Sequence, residues 1–152
     1  MTDGRVEGGC LCGAVRFSIG LPPLWVAHCH CSMCRRAQGA AFVTWVGSSE
    51  TGFVLQSGAE ALARYPSSAA ATRSFCSRCG TPLFFQSSRW PGEIHVTLAS
   101  LDSAVGLEPA AHAYWNSRAG WIHWDGGTLP KVEPGEGEVP STGRPYRIPR
   151  AG

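Results

Sequence analysis

The sequence predicts a mainly β fold: a small single domain of short strands with few short helical turns, organised around metal. Three observations carry this. Nineteen Gly and eleven Pro punctuate short apolar runs, which is the spacing of strands and turns, not of long helices. All seven Cys fall in short metal-ligand spacings: Cys10-x-Cys12, Cys29-x-Cys31-x-x-Cys34 and Cys76-x-x-Cys79. At 152 residues, with 43% hydrophobic and 16% charged, the chain is one globular domain able to bury about two-thirds of its unfolded surface.

Candidate strands run over residues 15–19, 25–29, 41–47, 52–56, 61–65, 71–75, 83–86 and 94–98. In Ile94-His95-Val96-Thr97-Leu98 the apolar residues alternate onto one face. Phe42-Val43-Thr44-Trp45-Val46 is more continuously apolar, as a strand buried on both faces would be. Helix signals are few. Ser32 can cap a short turn through Gln38 that Gly39 stops, and Ser100-Leu101-Asp102 reads as a single turn. The metal-binding domain is expected over 1–125. A Gly/Pro-rich tail over 126–152 then runs extended or packs on the domain. Its Glu133, Glu136 and Glu138 read as a solvated run.

Net charge is +2 with no Lys/Arg run, which argues against a nucleic-acid partner. The start, Met1-Thr2-Asp3-Gly4-Arg5, has no basic segment followed by an apolar stretch. No apolar run approaches the roughly 18 residues of a membrane span. These features predict a cytoplasmic chain with no membrane partner. A reducing compartment favours metal over disulfides, and seven Cys cannot all pair.

Seven thiols divide naturally into four plus three. Cys76-Ser77-Arg78-Cys79-Gly80 is a knuckle, with Gly80 free to take the positive φ the turn needs. The side chains of Cys10 and Cys12 point to one face of an extended segment. Cys10, Cys12, Cys76 and Cys79 together would close a tetrahedral, structural zinc site. Cys29, Cys31 and Cys34 would hold a second zinc with one position open, where an external thiol would lose its proton. His28 and His30 flank this cluster, and either closing it would make the second site structural. On an extended stretch both would point away from the ion. A dithiol redox role is disfavoured because neither Cys-x-x-Cys is expected at a strand-to-helix junction.

Several stretches together resemble the glutathione-dependent formaldehyde-activating enzyme family, also called centromere protein V-like. They are Gly8-Gly9-Cys10-Leu11-Cys12-Gly13-Ala14-Val15-Arg16-Phe17, His28-Cys29-His30-Cys31-Ser32-Met33-Cys34-Arg35 and Arg73-Ser74-Phe75-Cys76-Ser77-Arg78-Cys79-Gly80-Thr81-Pro82-Leu83, then His112-Ala113-Tyr114, Ser117 and Trp121. The resemblance implies a tent-like β zinc fold, shared with a small Rab-binding zinc protein. It implies a structural zinc on Cys10, Cys12, Cys76 and Cys79, and a catalytic zinc on Cys29, Cys31 and Cys34. It also implies a carbon–sulfur lyase activity that joins glutathione and formaldehyde as S-hydroxymethylglutathione.

Such chemistry moves a proton on or off a hydroxyl oxygen, and His30 and His112 are the acid–base candidates. Arg35, Arg36 and Arg73 lie near the cysteines and can pair with the carboxylates of glutathione. Phe42, Trp45, Tyr114, Trp115, Trp121 and Trp124 are the large side chains expected around the site. His95 and His123 read as surface or structural residues. The expected partners are a small-molecule thiol and an aldehyde, with the chain a monomer or homodimer. The alternative is a non-catalytic zinc module that binds a protein partner.

Overall fold

Every described strand is short, because a Gly, Pro or turn sequence interrupts each apolar run. The computed structural model describes residues 4–123 and 129–132, and the backbone alone of 138–141 and 144–147. In chain order the strands are β1 (Arg5–Gly9), β2 (Arg16–Gly20), β3 (Trp25–Cys29), β4 (Val43–Ser49), β5 (Val54–Ser57), β6 (Leu62–Pro66) and β7 (Ala71–Cys76). They continue with β8 (Pro82–Ser87), β9 (Glu93–Thr97), β10 (His112–Ala113), β11 (Lys131–Val132), β12 (Glu138–Ser141) and β13 (Arg144–Arg147). Among the described residues the one α-helix, α1 (Ser32–Gln38), follows β3. The expected mainly β fold with few helical turns is the one observed. The boundary expected at 125/126, Trp124 and the side chains of Glu133, Glu136 and Glu138 lie outside the described residues.

The chain divides into two compact units, Met1–Pro23 with Val46–Leu107, and Leu24–Trp45 with Glu108–Gly152. In the first unit, β1, β2 and β5 form an antiparallel sheet. Its inner face sends fully buried Phe17 edge-on against Phe84, with ring centroids 4.8 Å apart. Strands β6 to β9 form a second antiparallel run in the order β9-β8-β7-β6. The β1–β2 connection carries Cys10 and Cys12, and the β7–β8 connection carries Cys79 just beyond Cys76. Two hairpin turns are thus the source of all four thiols.

In the second unit, β10 lies between β3 and β11 and pairs parallel with both, placing His112 opposite His28 and Ala113 opposite Cys29. Two residues, His30 and Cys31, separate β3 from α1, which is capped at its C-terminus by Gly39 at φ 60°. No helix is long and apolar enough to cross a membrane among the described residues.

Several local expectations are corrected. The N-cap of α1 is Cys31, not Ser32, because Cys31 still has an extended ψ of 135° while Ser32 is already helical. Cys31-x-x-Cys34 therefore does sit at a strand-to-helix junction. The single turn lies at Leu98–Ser100, not at Ser100-Leu101-Asp102. There Leu101 bridges to Gly8 and the Asp102 amide donates to the Glu7 carbonyl, which draws both residues to β1. In β9 both faces are buried, and His95 is 3% exposed, not a surface residue. Phe85 stacks on its ring at 5.6 Å, Trp90 packs at 5.2 Å, and Glu93 bonds its Nε2 at 3.0 Å. That bond fits the structural reading of His95.

One residue couples the fold to the cysteines. Gly58 has φ 86°, and a Cβ there would come 2.0 Å from the Ala14 carbonyl oxygen. It opens the turn Ala59–Ala61, whose last carbonyl accepts from both the amide and the hydroxyl of Ser77, beside Cys76. Gly58→Ala is expected to cost at least about 2 kcal/mol in denaturant unfolding, from backbone strain and steric overlap together.

Candidate metal centres

The four thiols of Cys10, Cys12, Cys76 and Cys79 all lie within 4.8 Å of one another. Cys76 is fully buried and Cys10 nearly so, while Cys12 is exposed. Gly80 follows the knuckle at φ 80°, and its amide donates to the Cys76 carbonyl. The Val15 amide points at Cys10 Sγ, 3.2 Å away. Thr81 ties the two hairpins together: its hydroxyl accepts from the Leu11 amide at 3.0 Å and lies 3.1 Å from Cys79 Sγ. The sequence signalled Thr81 only as part of Cys-Gly-Thr-Pro.

The electrostatics of this cluster call for a cation. The Thr81 hydroxyl, then the Thr81 and Cys12 amides, bring Cys79 down to about 5. The Ala14 amide lowers Cys12, but hydrogen bonding with Cys10 and burial outweigh it and push Cys12 up to about 11. The thiols cannot all ionise side by side without a positive charge between them. Four converging sulfurs held by two hairpins fit a closed tetrahedral metal site.

The second cluster is built where β3 turns into α1. Cys29 and Cys34 are buried and Cys31 is half-buried at the helix N-cap. Hydrogen bonds from Cys29 and then Cys34 stabilise the Cys31 thiolate, and the Cys34 and Met33 amides add to them, so Cys31 falls to about 2. The same contacts with Cys31 and Cys34, plus burial, hold Cys29 well above its ordinary value. One charge is accommodated and the next is resisted; among the described residues only the four-thiol group brings its sulfurs within 4.8 Å of one another. The donor set suits a soft, thiophilic ion.

The residues next to these cysteines in β3 and on the paired β10 gather imidazoles and an indole. His30 and His112 are both fully buried, and His30 Nε2 lies 2.9 Å from His112 Nδ1. Two facing ring nitrogens at that distance share one proton. His30 Nδ1 is buried with no hydrogen-bond partner among the described residues. His28 turns its Nδ1 to the Thr44 hydroxyl at 2.8 Å. Phe42 packs 5.0 Å from His28 and 5.2 Å from His30, while Trp115 packs 5.1 Å from His30 and 5.0 Å from His112. Tyr114, at φ 56°, makes the turn that brings Trp115 in just after β10. Arg118 and Lys131 lie over the Trp115 ring at 4.6 and 4.9 Å. Sequence reasoning did not single out Arg118 or Thr44, and did not use Lys131.

Burial brings His30 and His112 to about 4, helped at His30 by the charges of His28, Arg118 and Arg35, and at His112 by those of His28, His30 and Lys131. Both rings are therefore neutral at pH 7. Their ring-nitrogen chemical shifts should stay those of neutral imidazole through pH 7 and change only as pH nears about 4. Since both values lie below the unfolded one, their contribution to stability is complete above about pH 6.5. It is lost as pH falls toward 4.

The other expected site residues are distributed differently. Arg35 Nε donates to the carbonyls of His30 and Ser117 at 3.3 and 3.1 Å, beside the three thiols. Arg36 is exposed on α1. Arg73 is not grouped with them: it belongs to β7 in the first unit and lies over Phe85 at 5.1 Å. Trp45 is core, at 5% exposure, and Trp121 is exposed. His123 is also exposed.

Residues 5–117 match the sequence profile of the family described as glutathione-dependent formaldehyde-activating enzyme. The chain belongs to that family. A relative from Halomonas elongata, named "Putative glutathione-dependent formaldehyde-activating enzyme", is 31% identical over 124 residues, covering 77% of this chain and 79% of its own. An "uncharacterized lyase" of Schizosaccharomyces pombe is 33% identical over 79 residues, covering 52% of this chain and 56% of its own. A Rhodobacter sphaeroides protein of known crystal structure superposes with a TM-score of 0.57 at 27% identity, over 83% of this chain and 99% of that one. The family match spans both cysteine clusters, His30 and His112.

Proposed function

We propose that this member of the formaldehyde-activating family is a zinc-dependent carbon–sulfur lyase. Its substrates would be adducts of a small thiol, such as glutathione, with formaldehyde or another small aldehyde. The observation that carries the reading is the pairing of three clustered thiols with a buried, neutral His30–His112 pair in one unit. Family membership and the names of the two relatives support it.

In this reading Cys10, Cys12, Cys76 and Cys79 hold a structural zinc, and Cys29, Cys31 and Cys34 hold the catalytic one. A zinc with three protein thiolates supplies an open position and lowers the pKa of a thiol that occupies it. The chain's residues do the rest. When His30 donates from Nε2 to His112 Nδ1, His30 Nδ1 becomes the basic nitrogen. We assign it to take the hydroxyl proton of a hemithioacetal as the C–S bond breaks, with the bonding pair going to sulfur and the C–O bond becoming a carbonyl. The reverse step returns that proton as sulfur adds to the aldehyde. Phe42 and Trp115 flank the imidazoles and limit water around them. Arg35, anchored on two carbonyls, and Arg118 offer cations to the carboxylates of the thiol.

The test is exchange NMR on zinc-loaded protein with glutathione and labelled formaldehyde. Formation and breakdown of the adduct should accelerate about 100-fold or more over buffer, the scale of acid–base catalysis. Exchange no faster than buffer at confirmed zinc occupancy would overturn the lyase reading.

A further inference from the structure

The outer side of α1 carries a cavity of about 580 Å³ whose lining shares only Arg35 with the residues assigned to the proposed reaction. Met33, Arg35, Arg36, Gly39, Ala40 and Trp121 line it. The buried residue of α1 is Cys34, so the helix places a thiol on its inner side and these residues on its outer side. We propose that this cavity binds a small aromatic carboxylate, its carboxylate on Arg36 and its ring against the Trp121 indole.

The charge argument comes first. No carboxylate among the described residues pairs with Arg35 or Arg36. In this unit Glu108 is the one carboxylate among the described side chains, against Arg35, Arg36, Arg118 and Lys131. A concave site lined by guanidinium groups that no described carboxylate neutralises concentrates anions. Guanidinium meets carboxylate through two parallel hydrogen bonds, a geometry that a lone ammonium lacks.

The apolar argument specifies the rest of the ligand. Trp121 is 70% exposed, although Trp25 and Trp45 of the same unit are 4% and 5% exposed. Its turn is fixed by the Ile122 amide donating to the Ala119 carbonyl at 3.1 Å. Met33, 46% exposed, adds a polarisable thioether to the same cavity. An indole and a thioether held beside two guanidinium groups match a planar ring bearing one negative charge. An aliphatic acid would satisfy the arginines and leave the indole in water. A neutral ring would do the reverse.

The ligand class is tested by binding alone, independently of the lyase reading. The probe is 4-fluorobenzoate, followed by fluorine NMR on the zinc-loaded full chain. Acetate and 4-fluorobenzyl alcohol are the comparators. We expect one saturable site with a dissociation constant below about 1 mM. Arg36→Gln and Trp121→Ala should each weaken it at least tenfold, and added salt should weaken it further. Both side chains are exposed, so the variants keep the fold, which unchanged zinc content verifies. The proposal is overturned by absence of saturation, by wild-type affinity in either variant, or by acetate or the alcohol binding as tightly as the probe.

Discussion

Cys76→Ser is expected to prevent folding and to lower bound zinc to at most one ion per chain. The side chain is fully buried at the end of β7, within 4.8 Å of the other three thiols. A serine hydroxyl there stays protonated and is a poor ligand for a soft ion. A structural zinc contributes about 10–16 kcal/mol of apparent folding free energy in small domains. The whole net stability of a domain is about 5–15 kcal/mol. Losing one of four ligands therefore removes a contribution comparable to everything that holds the fold. The site also joins the β1–β2 turn to the β7–β8 turn, which are far apart in sequence, so an empty site leaves that closure unsupported. Elemental analysis and calorimetry of the purified variant decide it. A Cys76→Ser protein with two zinc ions and a wild-type melting transition would refute the assignment.

Legibility in the sequence followed the range of the interactions concerned. Strand β3 was readable to its ends because Trp25, Val26 and Ala27 are all buried, a continuous apolar signal. The pairs Cys10/Cys12 and Cys76/Cys79 were readable because ligand spacing is a local property, and their grouping followed from dividing seven thiols into four plus three. Strand β1 was not. Its one large apolar residue is Val6, between Arg5 and Glu7, and its pairing with β2 supplies what its composition lacks. Strand β10 is two residues long, too short for any periodicity, and exists because it fits between β3 and β11. The His30–His112 contact spans 82 positions and arises from that same pairing. Both histidines were candidates by type, but nothing local shows that they face each other. For His95 the sequence left surface and structural readings open: its strand alternates as a half-exposed one would, and only Phe85 and Trp90, covering the second face, decide for the structural one.

Cys31→Ser separates the proposed second centre from the first. Cys31 is the N-cap of α1, and serine is among the residues best suited to that position. The substitution is nearly isosteric, and Cys31 is only half-buried, so the helix start survives. What is lost is the thiolate that Cys29, Cys34 and the first amides of α1 stabilise. Outer partners of metal ligands typically cost 10- to 100-fold on removal, so losing a ligand itself should cost at least about 100-fold in adduct exchange. Zinc content should fall from two ions to one, while the melting temperature drops by no more than about 8 °C, the equivalent of about 2 kcal/mol for a chain of this size. The two variants thus have opposite signatures: Cys76→Ser loses the fold, and Cys31→Ser loses the reaction. If Cys31→Ser instead unfolded the chain as completely as Cys76→Ser, the second cluster would be structural. If it retained full exchange activity, the reaction would have to run elsewhere.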